Sequence, residues 1–254
     1  MADREAWLAA TLVELADTSV IGDVDDVDVD ESGHGIALVC RLTELFPDAE
    51  IGVIVQDSAG IPRLVATSSE RSRKLLWSEL DEDDGPCIAC YRTGERMLNL
   101  DIATVDQRWA WFAPLAEAAE FRAVTVLPMR RHGDILGAAA ILNATGTPLA
   151  QRDVDLAQML LEAATVGLRQ RRRLAQVTRV SKQLQYALDS RVMLEQAKGM
   201  TAASLDITPH EAFALLRGYA RGHNRLLTDV AVEVIGRELA AADLLAPRWP
   251  ISAR

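Results

Sequence analysis

Residues 184–236 read LQYALDSRVMLEQAKGMTAASLDITPHEAFALLRGYARGHNRLLTDVAVEVIG, and the rest of the chain is organised around this stretch. Leu184, Leu188, Met193, Leu194 and Ala197 recur at helical spacing, and the helix is expected to end in Glu195-Gln196-Ala197-Lys198-Gly199-Met200. A second helix opens at Thr208-Pro209-His210-Glu211. Thr208 can cap the free amides, Pro209 takes the first helical position, and Glu211 completes a capping box. Ala212, Phe213, Leu216 and Ala220 then form an apolar stripe. Gly222, His223 and Asn224 end that helix, because Gly and Asn tolerate the left-handed backbone of a C-cap. Leu227, Val230, Ala231, Val234 and Ile235 mark the apolar face of a third helix. No single helix can bury its own stripe, so the three are expected to pack as a bundle.

Several separated motifs in this stretch occur in order: Ser190-Arg191, Glu195 to Met200, Glu211-Ala212-Phe213, Leu216-Arg217, Asn224, and Asp229-Val230-Ala231. Together they resemble the ANTAR family. The resemblance implies a three-helix domain that binds paired RNA hairpins in nascent transcripts and promotes transcription antitermination. Thr201-Ala202-Ala203-Ser204 stands where family members often carry an apolar pair and then basic residues. Gly218 and Gly222 stand where larger or polar residues are common. Under this resemblance the RNA contacts fall to Arg191, Lys198, Arg217, Arg221, Asn224 and Arg225. Arg217 and Arg221 lie four apart and share a helix face, and guanidinium groups suit phosphates and unpaired bases. Asn224 could read a base edge or serve only as a cap, and Lys198 could instead neutralise Glu195.

The net charge of −10 argues against a nucleic-acid partner until it is divided. Residues 1–168 hold 13 Lys/Arg and 29 Asp/Glu, giving −16; residues 169–254 hold 14 and 8, giving +6. Phosphate binding needs a local basic surface, so the asymmetry favours a polyanion for the C-terminal part. Without Arg169 and Arg171-Arg172-Arg173 that excess falls to +2, and those four could simply be a solvated helix face. No apolar run approaches the roughly 20 residues of a membrane-spanning helix. Met1-Ala2-Asp3-Arg4-Glu5 does not begin a secretory signal, and three cysteines make no disulfide framework. A cytoplasmic protein is expected.

Upstream, residues 3–21 predict an amphipathic helix and the acidic stretch Gly22 to Glu31 a solvated loop. A second helix carries Ile36, Leu38, Val39, Leu42, Leu45 and Phe46 and stops at Pro47. Ile51 to Val55 and Leu64 to Thr67 read as paired strands across an Asp57-Ser58-Ala59-Gly60 turn. A helix over Ser69 to Glu79 and a short one from Asp84-Gly85-Pro86-Cys87 to Thr93-Gly94 come next. Met97 to Leu100 gives a third strand. A Trp-rich helix then covers Trp109, Trp111, Phe112 and Leu115. Val124 to Met129 and Ile135 to Leu142 complete five strands. Five strands with flanking helices predict one α+β domain.

Gly85-Pro86-Cys87, Tyr91-Arg92-Thr93-Gly94-Glu95, Asp101, Arg108-Trp109, Val126 to Met129 and Ile135 to Ala138 resemble a GAF domain of the kind joined to ANTAR domains in actinobacteria. The resemblance covers about residues 5–168 and implies an antiparallel sheet with a helical pair on one side. The other face is capable of forming a small-molecule pocket. Cys87, Asp101, Trp109 and Phe112 are the pocket candidates, with no ligand or cofactor selected. Trp109, Trp111 and Phe112 could stack on a planar ligand or pack as core. Asp101 could face the pocket or cap the following turn. Cys87-Ile88-Ala89-Cys90 could be a redox pair at a helix start, or two small buried hydrophobes. A zinc site is rejected, because only Cys40 and a scattered His could join the pair.

From Leu149 to about Ser190 the pattern is one long helical run, with Leu161, Ala164 and Leu168 in its first half. Leu174, Val177, Ser181, Leu184 and Leu188 then step by three and four residues, the seam of a coiled coil. A homodimer through residues 152–190 is expected. The expected organisation is a GAF-like domain over 1–150, a coiled-coil linker over 151–183, an ANTAR-like domain over 184–242 and a tail over 243–254. The functional expectation is a GAF-like sensor controlling an RNA-binding antitermination domain, with no covalent chemistry. The alternatives are a DNA-binding three-helix domain, or a ligand-binding or redox sensor whose C-terminal bundle only dimerises.

Overall fold

The computed structural model of the chain describes residues 2–16, 27–131 and 133–245. It divides into two compact units, Met1–Gln176 and Val177–Arg254. The first unit holds α1 (Ala2–Ala16), α2 (Val27–Leu45), β1 (Ala49–Gln56), β2 (Pro62–Thr67), α3 (Glu70–Asp81), α4 (Pro86–Thr93) and β3 (Met97–Asp101). α5 (Phe112–Ala118), β4 (Ala123–Arg131), β5 (Asp134–Asn143) and the first part of α6 (Gln151–Leu205) complete it. The five strands form one antiparallel sheet in the order β2-β1-β5-β4-β3.

Two-residue periodicity sends alternate side chains of the central strands into two cores. Val53, Val55, Ala139 and Ile141 join Leu15, Leu38, Leu42, Leu160 and Leu161 on the face covered by α1, α2 and α6. Ile54, Ala138, Ala140 and Leu142 join Leu76, Ile88, Phe112 and Phe121 on the opposite face, under α3, α4 and α5. β1 and β5 are therefore buried on both sides, which explains why they read as continuous apolar runs.

Four sequence expectations change. The loop expected over Gly22 to Glu31 is helical from Val27 onward, while residues 17–26 lie outside the described residues. The run lacks an apolar stripe at helical spacing, so periodicity could not report a helix there. Gly35 belongs to this helix: a Cβ there would lie 2.3 Å from Val65 Cγ1, so the glycine allows α2 to press onto β2. The expected Trp-rich helix is instead a 3-10 turn over Ile102–Gln107 followed by α5, with Trp109 and Trp111 between them. Pro114 explains the late start, because proline is tolerated only in a helix's first turn. Val154, Ala157, Leu160, Leu161, Ala164 and Leu168 are buried in the first unit's core, so this domain continues past residue 150. Finally, α6 does not end at Met200 but runs through Gly199 to Leu205. Thr201 and Ala202 are buried there and extend the packed face by a turn.

The second unit is built from the end of α6, α7 (Pro209–Gly222), α8 (Leu227–Gly236) and a 3-10 turn over Ala241–Leu245. Ala197, Leu216, Ala220, Val230, Ala231, Val234 and Leu244 form its core, as a three-helix bundle requires.

Candidate nucleic-acid interface

The bundle's cations are positioned by the start and stop of α7. Thr208 caps the helix: its Oγ1 accepts from the Glu211 amide at 3.3 Å, and its own amide donates to Glu211 Oε2 at 2.8 Å. The Thr208 hydroxyl also donates to Glu211 Oε2 at 2.7 Å. These donors, the hydroxyl first, hold the Glu211 carboxyl below its usual range. At the other end Asn224 takes the left-handed conformation at φ 52°, and the Arg225 amide closes onto the Ala220 carbonyl at 2.9 Å. Capping and C-cap residues thus sit where the sequence places them.

The six candidate residues separate into two groups. Arg191, Arg217 and Arg221 are exposed, and among the described residues none of the three has an ion-pair partner. The other cations are already engaged. Arg225 makes a two-pronged pair with Glu233, Nη1 to Oε2 at 2.7 Å and Nη2 to Oε1. That bonding raises the Arg225 pKa and lowers that of Glu233. Lys198 Nζ lies 2.5 Å from Glu195 Oε2. Asn224 is exposed, and its backbone serves as the turn after α7. Phe213, placed on the buried stripe by its spacing, is only half-buried and lies outside the bundle core, whose centre is filled by Leu216. Tyr219 and His223 stack with centroids 4.0 Å apart at the end of α7.

In the first unit three of the four pocket candidates, Cys87, Trp109 and Phe112, are core side chains. Cys87 and Phe112 have no exposed surface, Trp109 is 4% exposed, and all three pack with Ile54, Leu76 and Phe121. Trp109 Nε1 donates to Asp84 Oδ1 at 3.1 Å, and the Arg108 guanidinium stacks 4.5 Å above its ring. Asp101 faces outward and caps the following turn, accepting from the Ala103 amide at 3.0 Å. Cys87, Trp109 and Phe112 thus pack with the other apolar side chains of this sheet face, as apolar burial favours. A separate cavity of about 470 Å³ is lined by Thr93, Gly94, Arg130, Arg131, Ile135 and Glu162.

Sequence reading missed Glu79. Its side chain is buried between α3 and α4, where Oε2 accepts from the Cys87 amide at 2.6 Å and the Ile88 amide at 3.4 Å. Burial raises its pKa to about 8, against the pull of those two donors. Gly85 makes room at φ 124°, since a Cβ there would stand 2.5 Å from Oε2. Burial also pushes the Cys87 thiol well above its usual range and the Cys90 thiol up to about 12. A reactive cysteine needs thiolate character, and this environment withholds it.

The GAF domain family model matches residues 36–168, about half of the chain. The chain belongs to the GAF domain family. The ANTAR domain model matches residues 182–235, so an ANTAR domain follows the GAF domain, as the sequence motifs suggest. The pairing is that of a regulator with a sensor domain. Solved structures similar to the GAF domain include the GAF domain of the cyanobacteriochrome TePixJ from Thermosynechococcus elongatus. It is 16% identical with TM-score 0.47, covering 61% of this chain and 95% of that one. Another is the GAF domain of the Acinetobacter phosphoenolpyruvate-protein phosphotransferase, 9% identical with TM-score 0.48, covering 67% of this chain and 95% of that one. A third is the type II free methionine-R-sulfoxide reductase of Thermoplasma acidophilum, 18% identical with TM-score 0.44, covering 56% and 94%. No curated protein matches the chain. Among the described residues, no helix is long and apolar enough to cross a membrane.

Proposed function

We propose that this protein is an RNA-binding transcription antitermination regulator, in which the GAF domain controls an ANTAR domain that binds hairpin RNA in nascent transcripts. One observation carries the reading: the ANTAR domain exposes Arg217 and Arg221 one turn apart on α7, with no carboxylate engaging either among the described residues. ANTAR domains are known for RNA binding, and an unpaired guanidinium pair suits a phosphate backbone. The protein would act in the cytoplasm by stabilising an RNA structure that excludes a terminator hairpin, without covalent chemistry. A small-molecule signal would act through the GAF domain.

The active form would be a homodimer. Leu174, Val177, Ser181, Leu184 and Leu188 step by three, four, three and four residues on α6, and Leu174, Val177, Leu184 and Leu188 are 43%, 66%, 62% and 59% exposed in the single chain. A seam of this kind is covered by a second copy in a coiled coil, bringing two ANTAR domains to one transcript. The buried, high-pKa thiols weigh against a redox role.

The test is binding of the full chain to stem–loop RNAs over a salt series, with duplex DNA as competitor, beside read-through of a terminator preceded by paired hairpins. Hairpin binding with raised read-through is expected. Preference for duplex DNA would support a DNA-binding regulator instead.

A further inference from the structure

The polar side of α6 is tied to the rest of the first unit at two places and is open between them. Asp155, Gln158, Glu162 and Arg169 follow one another at intervals of three, four and seven residues, so they share one face of the helix. That face lies beside the stripe of Val154, Ala157, Leu161 and Leu168 that enters the core. Toward the helix start, Arg96 donates Nε to Gln158 Oε1 at 3.1 Å and pairs through Nη1 with Asp155 Oδ1 at 3.4 Å. Toward its other end, Arg169 Nη1 pairs with Asp134 Oδ2 at 2.9 Å. Glu162 stands between these ties, exposed, and no cation engages it among the described residues.

Glu162 instead lines the cavity of about 470 Å³, and Arg130 and Arg131 at the end of β4 line it too. Arg130 is anchored on the end of α4, where its Nη1 donates to the Gly94 carbonyl at 2.9 Å. Arg131 is exposed and makes no ion pair among the described residues. Neither guanidinium pairs with Glu162, although opposite charges share one space. Gly94 and Ile135 close part of the wall together: a Cβ on Gly94 would lie 2.8 Å from Ile135 Cδ1.

We propose that this cavity binds a free α-amino acid, its carboxylate held by Arg131 and the remaining N–H groups of Arg130, its ammonium by Glu162. The charges decide the class of ligand. A simple anion would be repelled by Glu162, and a simple amine would meet two guanidinium groups. A zwitterion satisfies both signs at once. Guanidinium presents a fork of donors to a carboxylate, while an ionised Glu only accepts and so calls for a donor. The volume lies within the range of small-molecule sites. The inference deepens the reading above by giving the small-molecule signal of the GAF domain a place and a chemical class. Because Glu162 belongs to α6, which continues into the ANTAR domain, a bound amino acid would fasten the stretch of helix that Arg96 and Asp134 leave open.

The test is calorimetric titration of the full chain, without RNA, with each genetically encoded amino acid in turn. Acetate, methylamine and the N-acetyl form of any amino acid that binds are the comparisons. At least one amino acid is expected to bind, and all three comparisons should be weaker by about tenfold or more. Glu162→Gln should weaken the free amino acid by about tenfold and abolish its preference over the N-acetyl form. Arg131→Ala should weaken both forms alike. Both side chains are exposed, so the unliganded variants should melt as the parent does. Hydrogen exchange should slow in α6 around Glu162 when the amino acid binds.

No binding by any of the set at millimolar concentration would overturn the proposal. So would acetate binding as tightly as the amino acid, a preference for the free ammonium that survives Glu162→Gln, or protection confined to other parts of the chain. Since no RNA is present, loss of this site leaves the RNA-binding reading standing, and a chain that retains no hairpin can still show the site.

Discussion

Glu79→Gln isolates a buried carboxyl whose proton is bound more tightly in the folded chain than in the unfolded one. The folded pKa is about 8 against an ordinary 4.5, with burial the principal cause. Below pH 4.5 both states are protonated and the site contributes its full stability. As pH rises through the interval to 8 the unfolded chain ionises while the folded site resists, so stability falls. The gap of about 3.5 pH units, at about 1.36 kcal/mol each, sets the total loss near 5 kcal/mol. Glutamine keeps the shape and an acceptor oxygen for the Cys87 amide but cannot titrate. The variant should come closest to the parent at the acid end of the range and exceed it by several kcal/mol at pH 9.

The assay is denaturant unfolding of the full chain from pH 4.5 to 9, followed by tryptophan fluorescence. Four of the five tryptophans, Trp7, Trp77, Trp109 and Trp111, lie in the first unit. Carboxyls such as Glu44 and Asp57, whose pKa values are lowered, push stability the other way with pH. The readout is therefore the difference between variant and parent. A difference that stays flat over the range, or grows toward acid, would refute the reasoning.

Arg217→Ala and Arg221→Ala should each change thermal stability by less than about 0.5 kcal/mol, yet reduce hairpin affinity and its salt slope. Unchanged affinity in both would move the interface to Arg191 on α6. Leu216→Ala should do the reverse, costing about 2–5 kcal/mol of bundle stability through the cavity it leaves; a smaller loss in calorimetry would mean the bundle collapses around it. Under the proposed coiled-coil pairing, Leu184→Asp should yield monomers in light scattering where the parent gives dimers, and an unchanged mass would place any self-association elsewhere. Thiol titration of the native chain should report Cys40 alone, which is exposed, and all three cysteines after denaturation. A fast-reacting second thiol under native conditions would show that Cys87 or Cys90 is accessible.

Much of the local chemistry was legible in the sequence. The Thr208-Pro209-His210-Glu211 capping box, the stop at Gly222 to Asn224 and the strand runs of β1, β4 and β5 depend on neighbours within a few residues, and each formed as read. Asp101 as a turn cap belongs with them. The sequence also carried the two-domain order, because each domain's motifs occur as ordered local patterns.

What only the tertiary structure decided involves partners distant along the chain. The acidic start of α2 reads as a loop until helix packing through Gly35 is known. Phe213 fits the buried stripe by spacing, and only the bundle's geometry shows that Leu216 fills the core instead. Arg217, Arg221 and Arg225 look alike as letters, but Glu233 on the next helix engages one of them and leaves the other two exposed. Glu79 gives no local signal at all: its burial arises from α4 docking its free amides onto α3. Periodicity assigns a side chain to a face; whether that face meets core, solvent or an opposite charge is set by the element packed against it.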